Sequence, residues 1–347
     1  MTRFWKQFCV RYSILLCVSL AMSTSTPAQP YVASDVDFDG SGKVAFADFI
    51  LFAAAFGQPE PVFDVDGGGI VDFDDFLVLV AFFGTTILEP ANSGDQLTFL
   101  TPSGAEHLMV HVPAGPFVMG ADSGATNQQP VRTVALDSFL IDVYEVTNAR
   151  FADFLNSEGP EDPTGTPYIN LAGRVVRVVE TDGRFEPASL SDSGTPVVHV
   201  TWVGAQAYCT WASMRLPSEA EWEKSARGTD GRLYPWGNEA PTGGFLNYNK
   251  NVGMPTEIGS YPRGVSPYGA LDMAGNVFEW VADYYQSDYY TSAPTDNPTG
   301  PESGTFRVFR GGSHPALVDA WVQATYRQPA SEVSGLVDVG FRCARNP

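Results

Sequence analysis

Residues 205–227 read AQAYCTWASMRLPSEAEWEKSAR, and the rest of the chain is organised around them. The stretch divides into two short helices at Pro217. Thr201 is placed to cap the first, with Val203, Ala207, Tyr208 and Trp211 near one face and Cys209 beside them. Ser218 caps the second, and Glu221 follows three residues later. This is a capping box: the hydroxyl takes a free N–H at the helix start while the carboxylate reaches back to the N–H of the cap. Gly228 is a natural stop.

Working outward, residues 107–120 (HLMVHVPAGPFVMG) alternate as a strand, turn at residues 113–115 and resume as a strand. His107, Met109 and His111 share a strand face; two histidines without a third ligand read as structural. Within residues 131–155 (VRTVALDSFLIDVYEVTNARFADFL), Thr147 caps a helix that turns Phe151, Phe154 and Leu155 inward. Residues 159–195 read as loop. Downstream come LNYNKNVGMPTEIGSYP (246–262), YGALDMAGNVFEWVADYY (268–285) and RGGSHPALVDAWVQATYRQ (310–328).

Residues 209–228, followed and preceded in order by segments 117–155, 268–285 and 310–345, resemble the signature of the formylglycine-generating enzyme (sulfatase-modifying factor) family. The resemblance runs from His107 to the end. It implies an α+β, C-type-lectin-like fold with much irregular chain, held by metal and disulfide. It pairs Cys209 with Cys343, as also expected when an exported chain retains two cysteines. It implies calcium at Asn247 and the backbone of Tyr248, with Asn251 a looser match. A second calcium would take Asp272 and Glu279 by side chain, and Gly275 and Val277 by backbone carbonyl; a catalytic acid/base pair is the rival reading of these carboxylates.

The resembled enzymes hold copper(I) on two further cysteines and oxidise a substrate cysteine to formylglycine. Here those positions are Ala316 and Trp321, and neither a methyl nor an indole coordinates copper(I). Copper is therefore not expected. Ser313 and Arg327 keep the surrounding motif, and His314 stands where an aromatic is common. A related branch holds iron on a His-rich helical domain, whereas this chain has four His in all.

The N-terminal third is different. Arg3, Lys6 and Arg11 precede a short apolar run from Ser13 to Met22, and Thr26, Pro27 and Ala28 offer a cleavage site, so residues 1–28 read as a signal peptide that removes Cys9 and Cys17. The run is too short for a comfortable membrane span, and an uncleaved anchor is the weaker alternative. Residues 31–88 contain a repeat offset by 27 residues: DFDGSGKVAFAD (37–48) and DVDGGGIVDFDD (64–75), each followed by an apolar helical run. As calcium loops they place Asp37, Asp39, Ser41 and Asp48, then Asp64, Asp66 and Asp75, at ligand positions, with glycine at the sharp turn. Gly68 lacks a side-chain ligand, so the second loop is the weaker unless Asp72 assists. One helix per loop resembles an all-α, dockerin-like module more than an EF-hand pair. Its partner would be cohesin-like or a cell surface, unless the apolar helices only pack on each other. Residues 89–104 read as linker and 105–347 as the large domain.

The net charge of −20 makes nucleic acid and anionic membranes poor partners. Residues 31–90 carry nine Asp and two Glu against one Lys, half of that excess. The reading is a secreted, periplasmic or surface-located protein of the family fold without formylglycine-generating activity. Its unidentified ligand would lie near Ser313, His314, Trp321 and Arg327. Two alternatives stand beside it: a family oxidoreductase with altered metal or cofactor chemistry, and a structural surface component assembled through the calcium repeats.

Overall fold

The computed structural model describes Phe38, residues 46–58, Phe63, residues 70–82 and residues 96–347. The signal-peptide segment and the loop positions Asp37, Asp39, Ser41, Asp64 and Asp66 lie outside those residues, and only the backbone of Asp48 lies within them. The chain divides into two compact units, residues 1–89 and 90–347. Among the described residues no helix is long and apolar enough to cross a membrane.

In the first unit, α1 (Phe46–Ala55) and α2 (Phe73–Phe82) are built from the two apolar runs of the repeat. Phe52 and Ala55 of α1 share a buried cluster with Val71 and with Leu79 of α2, against which Phe38, Phe49, Phe63 and Phe76 pack. Asp75 is buried, and its Oδ2 accepts the N–H of Asp72 at 2.8 Å. The carboxylate thus satisfies a donor at the start of α2.

The second unit has two four-stranded sheets. The first runs β1 (Gln96–Leu100), β2 (Glu106–Val112), β5 (Phe139–Asp142), β12 (Ala344–Arg345), all antiparallel. Strand β1 falls inside the segment whose composition reads as linker. The second sheet runs β10 (Arg327–Ala330), β9 (Arg307–Arg310), β8 (Phe278–Tyr284), β11 (Val339–Phe341), with only β11 parallel to its neighbour. Two hairpins, β3 (Gly115–Met119) with β4 (Arg132–Leu136) and β6 (Val178–Thr181) with β7 (Arg184–Pro187), complete the strands. The second hairpin replaces part of the loop expected over residues 159–195.

Three helices join the sheets: α3 (Asn148–Glu158), α4 (Trp202–Trp211) and α5 (Glu219–Arg227). Thr147 and Thr201 cap α3 and α4 through their side chains, and Ser218 with Glu221 forms both halves of the capping box on α5. Phe151, Phe154 and Leu155 are buried as expected. The buried face of α4 differs from the expected one. Gly204, Ala205, Tyr208 and Cys209 point inward, while Val203, Ala207 and Trp211 are half-buried. Two long-range bonds set this rotation. Cys209 is tied to Cys343 next to β12, and the Tyr208 hydroxyl lies 2.8 Å from His107 Nε2. His107 is in turn 2.8 Å from Asp142 Oδ1, so the histidine is a buried structural pin between β2, β5 and α4.

The Cys209–Cys343 bridge spans 134 residues. In the chain-entropy picture, closing so long a loop contributes about 5 kcal/mol. Thiol titration of residues 29–347, denatured without reductant, is expected to find no free sulfhydryl; two per chain would contradict the pairing. Cys209→Ser with Cys343→Ser should lower the unfolding free energy by up to that amount in urea.

Candidate functional site

The second sheet and α5 meet through charge. Strand pairing sets Glu279 opposite Arg310, and Arg310 opposite Arg327, so three charged residues form one row across β8, β9 and β10. Glu219, in the first turn of α5, takes Arg310 Nη1 at 2.9 Å and is gripped by Arg327 at 2.7 and 2.8 Å. Glu223, one turn on, takes Arg310 Nη2 and Arg227 Nη1. All these side chains are buried. Burial alone would raise the Glu219 carboxyl, but Arg327 and Arg310 outweigh it and hold it below the ordinary range. Arg327, expected in the ligand cleft, is fully buried here, with Tyr285 and Tyr290 over its guanidinium and carbonyls of Asn127 and Gln286 on Nη1. It holds the sheet to α5 and lines no open surface.

Beyond Arg310 the chain turns through Gly311 and Gly312, both at positive φ. A Cβ on Gly312 would lie 2.6 Å from the Trp321 carbonyl, so the glycine lets this loop close against the short turn Asp319–Val322. The loop is pinned on its other side by Asn249 N–H to Ala316 O at 2.7 Å and Lys250 N–H to His314 O at 2.9 Å. Ser313 is buried and donates to Asp338 Oδ2 at 2.8 Å. His314 is half-buried, with Nδ1 3.3 Å from the Asn276 carbonyl. Burial lowers its pKa, the Asn276 carbonyl and Asp338 oppose this, and Arg177 adds to the lowering. The Ala316 methyl is buried in a cluster with Tyr234, Phe245, Leu246, Ala274 and Val322. Trp321 is 40% exposed. Ser313, His314, Ala316 and Trp321 are therefore brought together, and Arg327 is set apart from them.

Of the residues expected to hold calcium in this unit, Asn247, Asp272, Gly275, Val277 and Glu279 are buried, Tyr248 is half-buried and Asn251 is exposed. Asn247 donates through Nδ2 to Met254 O at 2.8 Å, and its Oδ1 is buried without a partner. Asn251 Oδ1 accepts the Tyr248 N–H at 3.1 Å, which occupies an oxygen expected to face an ion. The Asp272 carboxylate accepts the Gly259 N–H at 2.6 Å. Glu279 is held by Arg342 at 2.7 and 2.8 Å and by the Trp222 indole N–H at 2.8 Å. A third carboxylate is present that sequence reading passed over: Glu145, bonded by Asn276 Nδ2 at 3.1 Å. Burial and the neighbouring Asp272 and Glu279 push Glu145 well above the ordinary range, and burial first of all pushes Asp272 up to about 6. Three acids thus face one guanidinium. Among the described residues no group of three His, Cys, Asp or Glu could itself hold a metal. A cation here would need amide and backbone oxygens in addition, such as Asn247 Oδ1 and the Gly275 and Val277 carbonyls; hard oxygen donors with excess negative charge suit calcium.

A separate groove of about 700 Å³ is lined by Gln206, Arg215, Leu216, Glu221 and Asn346. Arg215 and Glu221 pair across it at 2.6 and 2.7 Å, and none of the expected ligand residues reaches it.

Residues 98–347 match the sulfatase-modifying factor enzyme 1-like domain. The chain belongs to the sulfatase-modifying factor family. It is 38% identical over 244 residues to serine/threonine-protein kinase pkn1 of Chlamydia pneumoniae, covering 69% of this chain and 38% of that protein. It is 35% identical over 288 residues to the formylglycine-generating enzyme of Thermomonospora curvata, covering 69% of this chain and 93% of the enzyme. The structure of PvdO from Pseudomonas aeruginosa superposes with a TM-score of 0.59 at 25% identity, over 74% of this chain and all of that one. The chain thus spans well under half the length of the kinase-named relative.

Asp283 lies beside the network, its Oδ2 accepting the Glu219 N–H at 2.7 Å. Burial, then the charge of Glu219, pushes it up to about 8. An acid whose folded pKa is raised stabilises most below its unfolded pKa of about 4 and loses that contribution as pH climbs to the folded value. Asp283→Asn keeps an oxygen for the Glu219 N–H but cannot ionise. The variant is expected to match the parent near pH 4 and to exceed it in urea stability by pH 8, diverging by at most about 1.4 kcal/mol per pH unit. Equal pH profiles would contradict this.

Proposed function

We propose that this chain is an exported, non-catalytic member of the family that binds a ligand at the loop carrying Ser313 and His314. The observation behind this reading is the chemistry of two positions. Ala316 offers a methyl already enclosed by aromatic and aliphatic neighbours. Trp321 offers an indole, which donates but does not coordinate. Cys209 and Cys343 are joined, so neither supplies the thiolate on which copper(I) binding and cysteine chemistry depend. The basic, then apolar, residues 1–28 and the disulfide favour an oxidising compartment.

The test is direct. A cysteine-containing peptide incubated with the protein, oxygen and copper is expected to return unchanged by mass spectrometry. Formylglycine in the product would overturn the non-catalytic reading and revive the oxidoreductase alternative.

Calcium belongs to the same proposal. In the large unit it would relieve the repulsion among Glu145, Asp272 and Glu279; in the repeats it would take the Asp37 and Asp64 loops, leaving that module to meet a cohesin-like or cell-surface partner. Asp272→Asn should raise the melting temperature of the calcium-free protein, because one repelling charge is gone, and should blunt the further rise that calcium gives the parent. Asp37→Ala with Asp64→Ala should lower the number of calcium ions bound in a calorimetric titration while leaving the Asp272-dependent rise. Parent melting that ignores millimolar calcium would contradict the first point, and an unchanged stoichiometry the second.

A further inference from the structure

Strand alternation gives the second sheet two unlike faces. Glu279, Arg310 and Arg327 turn toward α5, so Phe278, Phe309 and Tyr326, their chain neighbours, turn the other way. On that opposite face the rings form a row. Trp321 lies beside Tyr326 with centroids 6.4 Å apart and planes at 29°, and Tyr326 lies beside Phe278 at 6.2 Å and 30°. Phe309 supports Phe278 edge-on at 4.9 Å. Tyr326 and Phe278 are half-buried, Trp321 is 40% exposed, and Leu317 and Val318 beside it are 56% and 45% exposed.

The row ends in polar groups. The Phe278 N–H donates to the Asp338 backbone carbonyl at 2.8 Å, which sets Asp338 next to the last ring. One oxygen of Asp338 accepts from Ser313; the other has no protein partner among the described residues. The contact of His314 Nδ1 with the Asn276 carbonyl places the proton on Nδ1 and leaves Nε2 as a free acceptor.

We propose that this strip binds a neutral oligosaccharide, its sugar rings stacked on Trp321 and Tyr326 and its hydroxyls donating to Asp338 and His314 Nε2. The assignment rests on the ligand-binding reading above and gives that ligand a chemical class. The electron-rich faces of aromatic rings attract the C–H groups that cover one side of a sugar ring. Trp321 is exposed and Tyr326 and Phe278 are half-buried, so a ligand reaches the row from the Trp321 end. At its polar end Asp338 and His314 Nε2 offer acceptors, which suits a ligand rich in hydroxyl donors. A proline-rich peptide, another occupant of aromatic grooves, brings no N–H at its prolines. The net charge of −20 disfavours an acidic polymer.

Cellohexaose, xylohexaose, mannohexaose and maltohexaose, titrated into the full chain with tryptophan fluorescence and calorimetry as readouts, test the assignment. At least one is expected to bind. Trp321→Ala should weaken that hexaose by roughly tenfold, and Trp321→Phe, which keeps a ring, should weaken it far less. Asp338→Ala should weaken it as well, with thermal unfolding checking that each variant is folded. Failure of all four sugars, or binding that neither Trp321→Ala nor Asp338→Ala alters, overturns the assignment. A proline-rich peptide bound through Trp321 in place of every sugar would overturn the saccharide class while leaving the ligand-binding reading intact. Conversion of a cysteine peptide would strike the non-catalytic reading alone.

Discussion

Glu219 carries one negative charge into the interior and shares it between two guanidiniums that face each other across β9 and β10. Neither arginine is exposed, and removing Glu219 would leave Arg327 buried without its carboxylate partner, a loss of about 3–5 kcal/mol. Glu223 and Arg227 extend the same network along α5, and the Gly120 N–H joins it at 2.8 Å. The capping box fixes where α5 begins, and hence where Glu219 stands. Arg310 immediately precedes the two glycines and Ser313, so the loop of the candidate site starts from a strand end held by this network.

Much of this is local chemistry and was legible in the chain. Thr147, Thr201 and the Ser218 to Glu221 box act within one helical turn, and the structure places each cap where the residues put it. The Cys209 to Cys343 pairing followed from the family resemblance. What depended on distant partners was not legible. The face of α4 is set by His107 and Cys343, about 100 and 134 residues away in sequence. Arg327 reads as a motif residue of the cleft, yet its partner Glu219 lies 108 residues earlier and draws it inside. Strand alternation across Tyr326 and Arg327 separates the outward ring from the inward charge. The hairpin β6–β7 did carry a local signal, since Asp182 and Gly183 both adopt positive φ at its turn, as an Asp-Gly pair favours.

The two faces of the second sheet divide the labour. One face spends its polar side chains on holding α5 and carries no open surface around Arg327. The other presents Phe278, Tyr326 and Trp321 beside Ser313, His314 and Asp338. Glu145 and Asp338 carry little sequence signal because neither sits in a pattern of its own. Glu145 lies in the EVTN segment beside a helix cap, and Asp338 precedes Gly340 and Phe341 in a loop; each gains meaning only from the acids or hydroxyl opposite it. The backbone around Ala316, held by Asn249 and Lys250 on one side, closes through Gly312 against the Asp319–Val322 turn.

We propose that the family scaffold is intact around a site that lacks the reactive cysteine pair. Copper(I) affinity of Ala316→Cys combined with Trp321→Cys, measured under anaerobic conditions against the unmodified chain and each single variant, tests this most directly. Tight binding of one copper(I) per chain is expected of the double variant, and none of the other three proteins. Tight copper(I) binding by the unmodified chain, or no binding by a folded double variant, would contradict it.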